Sequence, residues 1–368
     1  MSRMESSSPV HRNSKGISAA RLCALLLAGV LIFMIAGILF GSVSISLSDL
    51  LHNSLSSSEK TILLQLRLPR MLACLLGGAA LASGGLIIQS VLANPLAAPN
   101  IIGIHTGAGL CTALACALLP NTFNVVPAAA FAGALMASFL VLALARKTRA
   151  SRTTLLLAGL AVSSIFSAMT DLVITFFPDA LIGYSGFRMG SLAGVSFEKL
   201  APGAIVIIVG LIAACLCSTE LELLSLGNDH SGMLGLDSTR WSRIFIVISA
   251  LLAGGTISFG GLIGFIGLIV PQIIRRSLKP GTSGLMQMIC VMLAGSLLLM
   301  MADLGGRILF APYEIPCGIL LSLAGGPYFL YLLLRNRRKS LFSGRKTKRN
   351  ANAERVSADR VKRGADHD

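Results

Sequence analysis

Three arginines offer the most specific chemistry in this 368-residue sequence. Arg67 and Arg70 flank Pro69 at the start of an apolar segment, and Arg307 follows another apolar segment late in the chain. A guanidinium presents a planar fork of N–H donors that matches a carboxylate, so the trio could dock onto acidic groups of an external partner. The same side chains could instead snorkel, with their stems on apolar surface and their charges among lipid headgroups. The residue types alone leave both interpretations open.

Few other ionisable residues lie in or beside the apolar segments. Asp171 is predicted to line a wet cavity, and Asp303, four residues before Arg307, is placed to pair with that arginine. Glu314 is predicted to cap the helix that follows it or to pair with Arg307. His105 is expected to pack between helices rather than to ligate a metal or haem. Carboxylates at mid-membrane depth are too sparse for a typical ion-coupled carrier.

The sequence lacks the residues of a catalytic or energy-converting centre. It contains no G-x-x-x-x-G-K-S/T phosphate loop, so ATP and Mg²⁺ would bind to separate subunits if transport is ATP-driven. It also lacks a C-x-x-C pattern and a convergent His/Asp/Glu cluster. We therefore expect no catalysis, no metal site and no cofactor on this chain, and we expect its eight cysteines to be packing residues.

Composition indicates a membrane protein. Hydrophobic residues make up 54% of the chain and charged residues only 13%, with a mean hydropathy of +0.79, whereas soluble chains carry roughly 25% charged residues. The net charge of +15 lies mostly in short loops and in two tails. This distribution fits positive-inside sorting of membrane loops and argues against nucleic-acid binding.

Ten apolar runs can cross a bilayer as helices, which need roughly 17–25 residues each. The predicted fold is therefore an all-α polytopic membrane protein with about ten transmembrane helices. The first run is long enough to be a span rather than a cleavable signal. The predicted spans are 21–42, 69–91, 98–118, 125–146, 153–177, 200–217, 243–259, 262–277, 285–302 and 315–334.

An internal repeat relates the two halves of the chain. Residues 75–95 align without gaps on residues 251–271, and at the same offset Arg67 falls on Arg243. The copies contain spans two and seven, which are an odd number of spans apart and so insert in opposite directions. Spans 2–5 and 7–10 are thus predicted to form an inverted repeat, an architecture common among transporters.

Loop charges predict the orientation of the spans and the divisions of the chain. With ten spans, three basic clusters fall on one side, which is predicted to be the cytoplasm, so both termini are predicted to be cytoplasmic. The clusters are at 146–149, 275–279 and 335–339. The arginine trio then faces outside, against the usual bias. We divide the chain into a cytoplasmic tail (1–20), a transmembrane domain (21–335) and a basic tail predicted to be disordered (336–368).

One long cytoplasmic loop, 218–242, is suited to contact a separate motor subunit. Gly227 and Gly235 are predicted to divide it into two short helices. Such helices could lie in a cleft of an ATPase. A plain amphipathic loop at the membrane surface remains the alternative interpretation.

Seven motifs spread over the chain share a recognisable order. They are R-L-P-R (67–70), N-P-L-A-A-P (94–99), M-G-S-L-A-G-V-S (189–196), L-S-L-G-N-D (224–229), G-L-I-G-F-I-G-L-I-V-P (261–271), M-A-D-L-G-G-R (301–307) and E-I-P-C-G (314–318). Together they resemble the FecCD family, the permease subunits of bacterial type II ABC importers for ferric siderophores, haem and cobalamin. The likeness extends over about residues 20–335.

The resemblance implies both partners and site residues. The partners are a second permease subunit, identical or paralogous, two cytoplasmic ATPases and an extracytoplasmic substrate-binding protein, all around a lipid-embedded permease. It favours docking of that binding protein as the role of Arg67, Arg70 and Arg307. The residues implied in ATPase coupling are Leu224, Leu226, Gly227, Asp229, Leu234, Gly235 and Leu236, and those implied at the translocation path are Asp171, Arg188, Met189 and Ser191.

Two positions depart from the family pattern. Gln272 stands where histidine is usual, and Arg188 stands where an apolar or amide residue is more frequent. The first change is expected to alter local polarity without abolishing the fold. The second places an extra cation beside the path and suggests an anionic cargo. We therefore predict a permease for an iron(III)-siderophore-type chelate, with haem or cobalamin as other cargoes and an ion-coupled secondary carrier as the alternative class.

Overall fold

A computed structural model describes residues 16–41, 56–119, 124–147, 152–225, 233, 235–309, 311–331 and 334. The chain forms two units, 1–321 and 322–368. The N-terminal residues 1–15 and the whole C-terminal tail, 336–368, lie outside the described residues, so the disorder predicted for the tail stays a prediction. All features below belong to the first unit unless a range says otherwise.

The described residues form helices, with one isolated bridge between Ile17 and Leu278. A short helix, Ser57–Thr61, and a π-helical turn, Ile62–Arg67, lead into the second long helix. The helices are α1 (Ala19–Leu39), α2 (Leu68–Val91), α3 (Ile104–Leu118), α4 (Val125–Lys147), α5 (Arg152–Phe176), α6 (Ala180–Met189), α7 (Phe197–Leu216), α8 (Ser218–Ser225), α9 (Ser238–Gly260), α10 (Ile266–Ser277), α11 (Gly284–Ile308) and α12 (Cys317–Tyr331).

The all-α prediction is confirmed, and each predicted span has a helix. Within the described residues, seven helices are long and apolar enough to cross a membrane: α1, α2 with the turns before it, α4, α5, α7, α9 and α11. The helices α3 and α12 are apolar but shorter, and α10 has only 12 residues. Predicted span eight began at 262, whereas α10 begins at Ile266 because residues 261–265 are not helical.

The two copies of the repeat pack against each other in opposite directions. Gly77 of α2 lies against Thr256 of α9, and Gly84 lies against Ser249, so residue numbers rise along α2 as they fall along α9. The Ser249 hydroxyl donates to the Gly84 carbonyl at 3.1 Å. Glycine at these positions lets the two backbones approach closely, as in many membrane helix pairs. The antiparallel packing agrees with the predicted inversion.

The directions of α1 and α11 also agree with ten crossings. Ala19, Gly29 and Gly37 lie along α1 near Cys290, Leu297 and Arg307 of α11, in that order, so these helices are parallel. The α11 helix is antiparallel to α2, since Ser296 donates to the Leu75 carbonyl while Asp303 pairs with Arg70. Helices α9 and α11 therefore run in the same direction, and the chain between them, which holds α10, must return across the bundle.

The repeat diverges after its paired glycines. Helix α2 continues past Gly85 to Val91, and nearly all of it is buried among α9, α10 and α11. In the second copy the helix ends at Gly260, and Gly261 adopts a φ of +70°. Phe265, just before α10, has a φ of +67°, a left-handed conformation that is costly for a non-glycine residue. The second copy is thus a broken helix where the first is continuous.

Candidate functional site

The predicted docking arginines converge at one end of the bundle, hereafter the arginine end. Arg70 forms a forked pair with Asp303, with Nε and Nη2 both 2.9 Å from Oδ1. Its Nη1 donates to Glu314 at 2.8 Å. Arg307 lies one turn after Asp303 on α11, with its Nε 3.2 Å from Oδ2. The Asp303 carboxylate is 1% exposed, so two guanidiniums compensate one buried charge.

Arg67 and Arg307 also fasten the C-terminal end of α1. Arg67 donates to the carbonyls of Ile38 and Leu39 at 2.6 and 2.9 Å, and Arg307 donates to Gly37 at 3.3 Å. The last carbonyls of a helix lack intrahelical donors, and cations are favoured there by the helix dipole. Both arginines are 5% exposed. They therefore act inside this chain as caps for α1.

These contacts confirm one predicted pairing and correct another. Asp303 pairs with Arg307, as their spacing predicts. The prediction that Glu314 pairs with Arg307 was wrong, since its partner is Arg70, which reaches it from α2. Docking stays a prediction, and strongly exposed side chains close in sequence to the cluster include Leu309 and Tyr313, 72% and 80% exposed.

The segment after α6 connects the helix break to the start of α12. The carbonyl of Phe187 accepts from the backbone N–H of Leu262 at 3.0 Å, and the carbonyl of Gly190 accepts from that of Gly318 at 2.9 Å. Gly190 has a φ of +68°, and a Cβ on Gly318 would meet the Gly190 backbone. The polar backbone groups of the irregular segment 261–263 therefore find hydrogen-bond partners in neighbouring segments of the chain. The interior of a membrane requires such partners, because it offers no water.

The predicted path residues lie on exposed surface next to this segment. Asp171 on α5 is exposed, as are Arg188 and Met189 at the end of α6, and Ser191 is half-buried. Burial raises the pKa of Tyr184 on α6, while nearby Arg188 lowers it and Asp171 raises it. The two predicted charges of the path therefore act on one neighbourhood, around Tyr184.

Helix α5 carries polar groups along its exposed face. Ser164, Ser167, Asp171 and Thr175 are all exposed, and their spacing of three or four residues places them on one side of the helix. An ionisable side chain facing hydrocarbon costs roughly 2.5–3.5 kcal/mol. In a membrane helix such a face is expected to line water or another subunit.

The opposite end of α2, hereafter the amide end, is held by two amides and one arginine, since Arg275 Nη2 on α10 donates to the Ser90 hydroxyl at 2.9 Å. The Gln89 amide donates to the carbonyls of Gly267 and Leu268 at 3.2 and 3.3 Å. Gln272 on α10 donates to the carbonyl of Pro95 at 2.6 Å, and it is only 4% exposed. The residue that departs from the family pattern thus joins α10 to the loop after α2. Sequence reasoning missed this role.

The predicted coupling loop is described in part. Leu226, Gly227, Asp229 and Leu234 lie outside the described residues. Leu224 at the end of α8 is fully buried, Leu236 is half-buried, and Gly235 has a φ of +78°. The described part holds one helix, α8, so the second predicted short helix is untested.

Two carboxylates join this loop to the helices on either side. Glu222 accepts from the backbone N–H of Gly284 at 2.8 Å, at the start of α11. Asp237 caps α9 by accepting from the N–H groups of Thr239 and Arg240. A movement of the loop would therefore reach both α9 and α11.

His105 and the cysteines have packing environments. His105 Nε2 lies 3.3 Å from the Ile263 carbonyl, next to the helix break. Among the described residues, no group of three His, Cys, Asp or Glu side chains could hold a metal ion. All eight cysteines are free. The contact of His105 is consistent with the packing role predicted for it, and the roles predicted for the cysteines stay predictions.

An antiparallel repeat, a broken second copy, a polar exposed face and a basic cluster at one end together define a polytopic transport permease. The chain belongs to the FecCD transport family, whose model matches residues 28–335. It is a multi-pass inner-membrane protein of the ABC transporter class, in which permeases work with ATPases and binding proteins.

Curated relatives are similar over most of their length. The chain is 35% identical over 322 residues to an Fe(3+)-citrate import system permease protein of Bacillus subtilis, covering 86% of this chain and 96% of the relative. It is 36% identical to a hemin transport system permease protein of Yersinia pestis, covering 81% and 90%. It is 35% identical to a vitamin B12 import system permease protein of Vibrio cholerae, covering 76% and 85%.

A solved structure has the same fold. It is described as an inward-facing conformation of a metal-chelate type ABC transporter. The TM-score is 0.78 at 27% sequence identity, and the match covers 86% of this chain and 99% of that one.

Proposed function

We propose that this chain is the permease subunit of an ATP-driven importer that moves a bulky, anionic metal chelate from a binding protein into the cytoplasm. The observation that carries the proposal is the polar exposed face of α5, with Asp171 near its end and Arg188 on the following helix. Ser164 and Thr175 donate to carbonyls of their own helix, so the carboxylate of Asp171 is the group that makes lipid contact costly. The face suits a water-filled path completed by a second permease subunit, identical or paralogous. The relatives import iron(III)-citrate, hemin and vitamin B12 according to their names.

An iron(III)-siderophore-type chelate fits the charges near this path. Arg188 is exposed beside the α5 face, and a cation at the mouth of a cleft raises the local concentration of anionic ligands. Haem and cobalamin remain alternative cargoes. The family assignment supports the importer over an ion-coupled secondary carrier. The polar face of α5 agrees with this choice, because Asp171 is its single carboxylate.

Energy conversion is assigned to partners. ATP and Mg²⁺ would bind to two cytoplasmic ATPases, and this chain would bind no cofactor. The loop 218–242 would receive their motion, with Gly235 and Leu236 near the contact and buried Leu224 holding α8 in place. Both termini would then be cytoplasmic, as the basic loops predict.

The arginine end is the proposed dock for the substrate-binding protein. Arg70 is the most accessible of the three arginines, with a side chain 13% exposed, and its partner Glu314 is 36% exposed. An incoming carboxylate could replace Glu314 on Arg70 without disturbing Asp303. Arg307 is buried, with a side chain only 4% exposed, so its proposed part in docking is to hold Asp303 and thereby position Arg70.

The test is ATPase activity of the assembled transporter in lipid nanodiscs, with and without its binding protein. We expect the binding protein to stimulate ATP hydrolysis, and we expect Arg70→Gln to reduce that stimulation. Lys60→Gln, which removes an exposed cation before α2, is the matched control. Failure of the chain to associate with any ATPase would overturn the importer, whereas unchanged stimulation in Arg70→Gln would overturn only the dock.

Uptake of a labelled anionic chelate tests the path. Arg188→Ala should lower uptake several-fold and Arg188→Lys should restore most of it, because the proposed role needs a charge rather than a fork of donors. Lys60→Ala should leave uptake unchanged. Equal uptake by wild type and Arg188→Ala for every cargo would show that the cation has no part in recognition.

A further inference from the structure

A cavity of about 500 Å³ lies between α4, α7 and α9, within the range of roughly 300–1,000 Å³ typical of ligand pockets. It lies at the arginine end of the bundle, since α9 is antiparallel to α2 and contributes Ser258 near its C-terminus. None of the docking or path residues lines it. Its walls include Phe131 on α4 and Pro202 and Val206 on α7, and its rim includes Asn124, Glu198 and Lys199.

The cavity is polar at one end and apolar at the other. Asn124 directly precedes α4, and Glu198 and Lys199 lie in the first turn of α7, so the polar groups lie where the helices leave the apolar layer. Phe131 and Val206 are seven or eight residues further along their helices, which places them about 10–12 Å deeper at 1.5 Å per residue. A ligand that fills this space must be amphipathic along its length.

The surrounding surface faces acyl chains. The outward side of α7 carries Ile205, Val209, Ile212 and Leu216, which are 55–77% exposed. A continuous aliphatic face on a membrane helix is typical of contact with lipid. A cavity that joins this face is therefore supplied with ligands from the bilayer.

The rim offers one acid and one base side by side. Glu198 and Lys199 are adjacent on the helix and point about 100° apart, so they do not face each other. Neither forms an ion pair with another residue in the described part of the chain. The pair therefore has an acceptor for an ammonium group and a donor for a phosphate, and the Asn124 amide adds a second donor.

We infer that this cavity binds one zwitterionic phospholipid with a primary ammonium headgroup, phosphatidylethanolamine. The ammonium N–H groups donate to Glu198, the phosphate accepts from Lys199 and Asn124, and the first part of an acyl chain lies against Phe131 and Val206. Phosphatidylcholine has no N–H to donate, and phosphatidylglycerol offers Glu198 only neutral hydroxyl donors, so neither lipid can form the charge-assisted hydrogen bond of a primary ammonium.

Native mass spectrometry of the purified full-length chain tests this site. The protein is incubated in detergent with equimolar phosphatidylethanolamine, phosphatidylcholine and phosphatidylglycerol, and the adducts that survive dilution are counted. We expect one retained phosphatidylethanolamine per chain, favoured several-fold over the other two lipids. The rim variant Glu198→Gln/Lys199→Gln should abolish that preference, and Ala128→Phe, which fills the cavity from α4, should remove the adduct.

The chain supplies a matched control for the rim variant. Glu59 and Lys60 form the same acid–base dipeptide on a short helix that does not line the cavity. Glu59→Gln/Lys60→Gln removes the same charges and keeps a side chain able to cap that helix, so it should leave lipid retention unchanged. Retention of phosphatidylglycerol at the level of phosphatidylethanolamine, or an undiminished preference in the rim variant, would overturn the inference.

Discussion

The two ends of helix α2 are held by different chemistry. At the arginine end, Arg70 is fastened to α11 by a forked ion pair with buried Asp303. At the amide end, Gln89, Gln272 and Arg275 join α2 and its following loop to α10 through hydrogen bonds, with no ion pair among the described residues. Breaking a buried ion pair costs about 3–5 kcal/mol, whereas a neutral hydrogen bond contributes about 0.5–1.5 kcal/mol. The bundle is therefore firmly closed at the arginine end and more easily rearranged at the amide end.

The largest effect is expected from removing the shared carboxylate. Asp303→Asn should lower the free energy of unfolding by about 3–5 kcal/mol, because Arg70 and Arg307 lose their common buried counter-charge. Thermal or denaturant unfolding of the purified protein measures this loss. Asp171→Asn, at an exposed carboxylate without an ion pair among the described residues, should change stability by less than about 0.5 kcal/mol. Equal losses of unfolding free energy in Asp303→Asn and Asp171→Asn would show that the buried ion pair does not make the arginine end more stable.

The next effect concerns the close approach of α2 and α10. A Cβ on Gly85 would meet the backbone of Gly267, which cannot move aside as a flexible side chain could. Gly85→Val should therefore cost about 3 kcal/mol, near the upper limit usual for overpacking, and it should disturb the Gln89 hydrogen bonds. Gly186→Val, where a Cβ meets no atom within 4 Å, is the control in the same unfolding experiment. If Gly85→Val unfolded with the same free energy as wild type, α2 and α10 would be able to move apart at the amide end at even lower cost than proposed.

A smaller effect is expected from the single amide that joins α10 to the loop after α2. Gln272→Leu keeps the size of the side chain but removes the hydrogen bond to the carbonyl of exposed Pro95, at a cost of about 1.5 kcal/mol. Hydrogen exchange of residues 93–97 should become faster at the same time. Gln65→Leu, at an exposed position, should leave both readouts unchanged. An unaltered exchange rate in Gln272→Leu would remove Gln272 from the contacts that define the amide end.

The smallest effect is expected at the surface of the arginine end. Glu314→Gln removes the exposed partner of Arg70 while its pair with Asp303 remains, so stability should fall by no more than about 1 kcal/mol. The same variant should leave docking of the binding protein intact or tighten it, because one competitor for Arg70 is gone. Affinity by surface plasmon resonance checks this. A loss as large as that of Asp303→Asn would show that Glu314 belongs to the buried network.

The sequence predicted the large features well because they are repeated over many residues. The length of the apolar runs, the charge of the loops and the alignment of two 21-residue segments each depend on many residues, so a few exceptions do not change the prediction. The Asp303–Arg307 pair was also predictable, since four residues on one helix fix their neighbourhood. The partner of Glu314 was not, because the choice between Arg70 and Arg307 depends on how α2 and α11 meet the loop before α12.

Two further features depended on contacts between distant parts of the chain. Gln272 reaches a carbonyl 177 residues earlier in sequence, and nothing in its local pattern indicates that partner. The end of α9 at Gly260 was predicted to within one residue, but the start of α10 was placed at 262 instead of Ile266, because the contacts of residues 261–265 with α6 are not visible in the local pattern. The aligned glycines Gly85 and Gly261 have two conformations, and tertiary contacts decide between them.

This divergence at the paired glycines bears on how the protein can change over evolutionary time. Two similar stretches within one gene invite recombination and gene conversion, which tend to make the copies alike again. Copying residues 86–91 over 262–267 would extend α9 as a continuous helix. The hydrogen bond that the Leu262 N–H now donates to the Phe187 carbonyl would then be lost. Such a chain would keep its hydropathy and its length while losing the junction between α6 and α12. The two copies must therefore stay different at these residues for the junction between α6 and α12 to persist.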